Sequence, residues 1–371
     1  MNILGKKRMK LFGASEVNTG RQIEFDIAKA VCILGMVIVH CYEELASTTL
    51  ESGTAYYIMV IVLDALFGAA TFMASMGLGI AYSWKGEADA FIKRGIKIFF
   101  LGYALNCIRA VIPRVLLIGH GYVFKRDFIA MLLNDDIMPF AGLALLLFGL
   151  LKKTKLSDKA IFGIALGMSI LGSFIRFLSF DSAVVNQLVG LFFGTAREDE
   201  VNLCGYFPLF NWFIIVVIGY LYGKILRRCT NIKKYYAISF PVSAAIMATY
   251  MLIAIPNRLG MMNGDIFYYY HMTSLDVIIC ICGMIFATSL YHYISLIMSD
   301  KVKNVIKHIS TNINETYMIH WVMIGWTIVL IKLGVFNALS DAGCFILAVI
   351  IYIAANVLSE MYARSKVKHK E

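Results

Sequence analysis

The sequence predicts an all-α, polytopic integral membrane protein: a bundle of about ten transmembrane helices with both termini on the cytoplasmic side. Three observations carry that prediction. Of the 371 residues, 60% are hydrophobic and only 16% charged, with a mean hydropathy of +0.74; a soluble domain has about 25% charged and 45–50% apolar residues. The apolar residues come in long runs and not in amphipathic stripes, and about 20 of them cross the hydrocarbon core. Basic residues alternate between the gaps separating those runs.

The first run covers 24–43, behind a basic and polar segment, 1–23, read as cytoplasmic. No small-residue cleavage site follows it, so a retained helix is expected and not a secretory signal. Further runs lie at 56–84, 91–113, 128–151, 159–178, 206–226, 235–255, 272–296, 313–333 and 342–362, and a basic tail closes the chain at 364–371. The expectation is one membrane domain over 24–363. The stretch 181–194 is too short to cross and is expected to be re-entrant or interfacial. With the N-terminus inside, 25 of the 34 Lys and Arg residues fall on the cytoplasmic side and seven outside, while Lys29 and Arg109 lie within spans. That asymmetry fixes the N-in, C-in orientation.

The formal charge of +10 is therefore topology information. No basic stripe or nucleic-acid motif accompanies it, so nucleic acid is not expected as a partner. Eight cysteines form no CxxC pair and no zinc-ligand spacing; Cys32, Cys107, Cys280, Cys282 and Cys344 sit in apolar runs and read as small packing residues. Gly77 and Gly79 are expected to let helices approach closely. Trp212, Trp321 and Trp326 read as interfacial or packing aromatics. No P-loop, HExxH, GxSxG or metal-ligand cluster is present, and no metal is expected.

Ionisable groups inside spans cost about 2.5–3.5 kcal/mol each on insertion scales, which makes each a functional candidate. Here they are Asp26, Lys29, His40, Asp64, Arg109, Asp135, Asp136 and His320. His40 lies 14 residues beyond Asp26, about 21 Å along the helix, in the outer half. Six of the eight groups converge on the central to outer half, where Arg109 can pair with Asp135 or Asp136. Lys93 and Arg94, in FIKRGIK at the inner start of the third run, either grip phosphates or only mark the inside.

RQIEFDIAKAVCILGMVIVHCYEE (Arg21 to Glu44) resembles the first helix of the transmembrane acyltransferase superfamily, which includes the acyltransferase-3 proteins and relatives of heparan-alpha-glucosaminide N-acetyltransferase. Arg21, Asp26, Lys29 and His40 match its pattern of Arg, Asp, a basic residue and a distal His. LDALFGAATFMASMGLGIAYS is similar to the family's second span, and FIKRGIKIFFLGYALN to the basic start of the third. NDDIMPFAGLALLLFGLL is closer to the glucosaminide branch, and ISTNINETYMIHWVMI to the acyltransferase-3 pattern of Ser, Tyr and His-Trp. Where acyltransferase-3 proteins often carry paired arginines, this chain has Lys93-Arg94 and then Lys97.

The resemblance implies transfer of an acyl group, expected to be acetyl, from cytosolic acyl-CoA to a hydroxyl or amine of a cell-envelope glycan or lipid-linked acceptor. It implies a multi-pass protein of the bacterial plasma membrane. His40 is then the general base, Asp64 a group that orients it, and His320 or Arg109 an oxyanion stabiliser. Lys93, Arg94 and Arg21 are the expected CoA-binding cations, and an acyl-His intermediate is a variant of the same scheme. The rival reading is a secondary transporter or lipid or glycan flippase using Asp64, His40 and His320 as a proton relay. The five prolines show no matching positions in two halves of the chain.

Overall fold

The computed structural model describes residues 10–46, 68–83, 87–124, 128–195, 205–264, 266–337 and 339–368. The described residues are helical apart from turns and three isolated bridges. Asp64 lies outside them, as do the first part of the second apolar run and Lys85.

Helix α1 (Ile23–Leu45) is central. It starts from an extended Gln22 with Glu24 and Asp26 in its first turn, where carboxylates favour the positive helix end. Helices α2 (Ala69–Ala81), α12 (Asp276–Ile297), α13 (Asp300–Thr311), α14 (Ile313–Lys332) and α15 (Asp341–Lys368) pack around it. Beyond these, α3 (Ala88–Asn106) packs on α6 (Ile137–Lys153), α9 (Leu209–Arg227) lies between α2 and α7 (Asp158–Phe174), and α10 (Ile232–Ala254) packs on α12. Short helices α4 (Ile112–Gly119), α5 (Phe128–Leu132), α8 (Ala183–Gly190) and α11 (Ile266–Tyr270) fill the connections. α8 falls in the stretch too short to cross.

Six helical stretches among the described residues are long and apolar enough to cross a bilayer: Ile23–Leu45, Ala88–Gly119, Leu209–Arg227, Ile232–Ala254, Asp276–Ile297 and Asp341–Lys366. The expectation of about ten spans is thus met by six on length and composition. α6 and α7 coincide with predicted runs but have 17 residues each, about 26 Å at 1.5 Å per residue. α14 has 20 residues, but Asn314, Glu315 and His320 dilute its apolar character.

Glycine sets two of the closest helix contacts, as expected where helices associate without a hydrophobic drive. A methyl group at Gly77 would lie 1.9 Å from the Val216 carbonyl, and one at Gly142 2.5 Å from the Phe99 nitrogen. α2 thus seats on α9, and α3 on α6. Gly79 differs from expectation, since nothing packs within 4 Å of it and it faces a cavity. Polar ties join α1 to its neighbours. His292 Nδ1 lies 2.6 Å from Glu24 Oε1, both side chains buried, and Ser310 donates to Asp26 Oδ1 at 2.6 Å.

The long stretch Ala88–Gly119 is not uniform. A π-turn, Cys107–Val111, separates α3 from α4. Pro113 lacks the N–H that a regular helix would direct at the Arg109 carbonyl, which accounts for the break. The freed carbonyl rests on α14, where a methyl group at Gly325 would lie 2.1 Å from it.

Candidate active site

His40, on the last turns of α1, meets α14 directly. Its Nδ1 lies 3.2 Å from His320 Nε2, and His320 Nδ1 lies 3.3 Å from the Thr316 carbonyl. A carbonyl only accepts, so His320 carries its proton on Nδ1 and its bare Nε2 accepts from His40 Nδ1. Among the described residues no hydrogen bond reaches His40 Nε2, which this tautomer leaves as a lone pair. The His40 ring also stacks on Trp321, with centroids 4.1 Å apart.

Arg109 comes from the π-turn and is buried. Its Nη2 pairs with Asp136 Oδ2 at 2.9 Å, its Nε donates to Asn106 Oδ1 at 3.1 Å, and its guanidinium lies 3.9 Å from the Trp321 ring centroid. Of the two carboxylates allowed by sequence, Asp136 is the ion-pair partner. Asp135 instead accepts from the Tyr103 hydroxyl at 3.4 Å. Asp136 also caps α6, accepting from the Ile137 nitrogen at 2.6 Å, which fixes the carboxylate at a helix start. Asn106 donates to the carbonyls of Leu132 and Asn134 at 3.0 and 2.7 Å, so it anchors the turn that delivers Asp136.

Three cavities run in series through this region. A basic cavity of about 500 Å³ opens at the N-terminal end of α1 and is lined by Arg21, Lys29 and Arg94, with Asp26, Asn314 and Tyr317. A central cavity of about 30 Å³ holds His40 and Asp136, and shares Ile137 and Tyr317 with the basic one. It has room for about two water-sized groups. A far cavity of about 130 Å³ shares His40, Asp136, Phe207 and Tyr270 with the central one. Glu43, Glu44, Arg109, Arg114 and Trp321 also line it.

The structure brings together His40, His320 and Arg109, and separately Arg21 and Arg94. Lys93 is exposed on α3 and lines none of the three cavities. Arg21 is engaged already, holding Asp26 through Nε at 2.6 Å and Nη2 at 2.9 Å, with further bonds to the Lys307 carbonyl and Thr311 hydroxyl. Asp64 lies outside the described residues. Sequence reasoning placed Lys29 among the intramembrane charges but not among the cavity cations. It also read Trp321 as a packing aromatic, whereas the indole sits against both His40 and Arg109. The available signal was the i, i+3, i+4 spacing of Tyr317, His320 and Trp321, which puts all three on one helix face. No group of three or more His, Cys, Asp or Glu residues able to hold a metal occurs among the described residues.

A family model for the catalytic region of heparan-alpha-glucosaminide N-acetyltransferase matches residues 21–253, well over half of the chain. The chain belongs to this family. The match takes in Arg21, Lys29, His40, Arg94, Arg109 and Asp136, and ends before α12–α15. No curated protein and no solved structure matches the chain. Family membership and the apolar helices together make it an integral membrane protein of an acetyltransferase family.

Proposed function

We propose that this protein transfers an acetyl group from cytosolic acetyl-CoA, bound in the basic cavity, to an amine or hydroxyl presented in the far cavity. The acceptor is a cell-envelope glycan or a lipid-linked relative, and His40 is the general base. The observation that carries this reading is the series of three cavities with His40 on the wall common to the last two. A cytosolic thioester and an acceptor arriving from the other side need such a two-ended site. The chain then crosses the plasma membrane about ten times, with the basic cavity on the cytoplasmic side in agreement with the Lys and Arg distribution.

The thioester is electrophilic already, so the protein supplies placement, a base and a partner for developing charge. Arg94, Lys29 and Arg21 offer cations to the CoA phosphates at the mouth. His40 Nε2 takes the proton of the acceptor as its nitrogen or oxygen bonds to the thioester carbon. The carbonyl pair moves to oxygen, then returns as the C–S bond breaks, and the proton held by His40 goes to the departing thiolate. His320 holds the His40 tautomer that makes this possible. It fills the orienting role that a carboxylate has in other triads.

The test is turnover of acetyl-CoA by the purified protein in nanodiscs with amino-sugar and sugar acceptors. Wild-type protein forms acetylated product, and His40→Ala, still binding CoA, loses about 10²–10⁴-fold in kcat. Near-normal turnover by a properly inserted His40→Ala removes the base assignment.

A further inference from the structure

We propose that Tyr317 and Trp321 form the oxyanion site of this reaction, the first through its hydroxyl and the second through its indole N–H. The inference rests on the acyl-transfer reading above and names two residues to which that reading gives no chemistry. Tyr317 is 2% exposed. Its hydroxyl lies within reach of the Asp136 carboxylate and the Trp321 indole, but among the described residues it completes a well-formed hydrogen bond with neither. Trp321 Nε1 is likewise buried without an acceptor, and so is Arg109 Nη1. Buried donors are nearly always satisfied, so each exception calls for an explanation. Three such donors lie around one histidine, loosely held by Asp136 and by one another, and can turn to an oxygen placed between them.

Position supports the same conclusion. Tyr317 and Trp321 are four residues apart on α14 and so share a face. Tyr317 forms part of the partition between the basic and central cavities, where an acetyl carbonyl must lie if the thioester reaches from one to the other. Trp321 stacks on His40, the group beside the attacking atom. Of the other donors, His320 has both ring nitrogens facing partners, and Arg109 is held through Nη2 by Asp136 and through Nε by Asn106, with only Nη1 uncommitted. As the acceptor atom bonds to the carbonyl carbon, the oxygen gains a full negative charge. Tyr317 Oη–H and Trp321 Nε1–H then donate to it, and the charge returns to the carbonyl bond as the thiolate leaves. No proton is transferred to the oxygen.

The experiment compares wild type, Tyr317→Phe and Trp321→Phe in nanodiscs. Three quantities are read: kcat, the Kd for CoA, and the inhibition constant of a trifluoromethyl-ketone thioether of CoA, which adopts a tetrahedral oxyanion-like form. Loss of one oxyanion donor costs about 10²–10³ in kcat. The expected result is about a hundredfold loss of kcat in each variant, CoA affinity within about twofold, and inhibitor affinity weakened in step with kcat. Unaltered kcat in both variants, or a fall in kcat with undiminished inhibitor affinity, overturns the proposal. Infrared measurement of the bound acetyl-CoA carbonyl is a second readout. Its stretch moves toward the free-thioester frequency in both variants if the donors touch that oxygen, and an unmoved band in both refutes the contact. Absence of transferase activity in the wild type sinks the underlying acyl-transfer reading; an active wild type with fully active variants sinks only the oxyanion site.

Discussion

In the proposed mechanism His40 depends on a neighbour on another helix. With its Nδ1–H given to His320 Nε2, the imidazole presents the opposite nitrogen as a base. The expected consequence is that His320→Ala lowers kcat by about a hundredfold, the usual effect of a misplaced catalytic group. His320→Gln keeps a side-chain acceptor near the position of Nε2 and retains more activity. A pH profile of kcat separates the two, since a structural role alone leaves the acidic limb of His40 where it is in wild type. At the mouth, Arg94 lines the basic cavity and Lys93 does not. Arg94→Ala raises the acetyl-CoA KM several-fold while Lys93→Ala leaves it near the wild-type value, a contrast that steady-state kinetics resolves. Equal effects from the two substitutions remove the distinction.

The helices carry the site by close backbone approach. Gly325 lets α14 lie against the Arg109 carbonyl released by Pro113, so the π-turn and the His320 helix are registered by one missing methyl group. Gly325→Ala therefore pushes Arg109 away from Asp136 and Trp321. The expected outcome is a drop in kcat of at least about tenfold, on the scale of small misplacements, with a stability loss of about 1–3 kcal/mol from overpacking. Gly77→Ala disturbs the α2–α9 contact at a residue that lines none of the three cavities, and costs stability of the same order. Comparison of melting temperature with kcat distinguishes the two: Gly325→Ala loses activity in the fraction that remains folded, Gly77→Ala does not. The apolar runs, the basic gaps between them and the opposite charges of Arg109 and Asp136 were legible in the sequence, because hydropathy and sign survive without coordinates. The positions of Lys29, Tyr317 and Trp321 on the cavity walls were not, because they depend on how each helix is turned about its axis. The π-turn escaped as well. Pro113 is visible, but the glycine that accommodates its effect is more than 200 residues away on another helix.

For the molecule as a whole, the helical architecture and membrane character follow from composition, and the family match covers the part of the chain, 21–253, that supplies His40 and its charged surroundings. The imidazole, phenol and indole of α14 come from beyond that match, so the site is assembled only when the two parts of the chain pack together. The basic cavity is lined by α1, α3 and α14, so acetyl-CoA bound there, as proposed, would bridge them. Acetyl-CoA should stabilise the folded protein by about 2.7 kcal/mol at a hundredfold excess over its Kd, read as a rise in melting temperature in detergent. A protein that only moves lipid or glycan shows no such rise.

Among the described residues the basic and far cavities meet at a chamber of about 30 Å³, and on the proposed reading each substrate has its own doorway. On that reading spent CoA leaves by the door it came through and does not stand in the path of the acceptor. Product inhibition should carry that signature: CoA competes with acetyl-CoA but is noncompetitive toward the acceptor, while the acetylated product shows the mirror pattern.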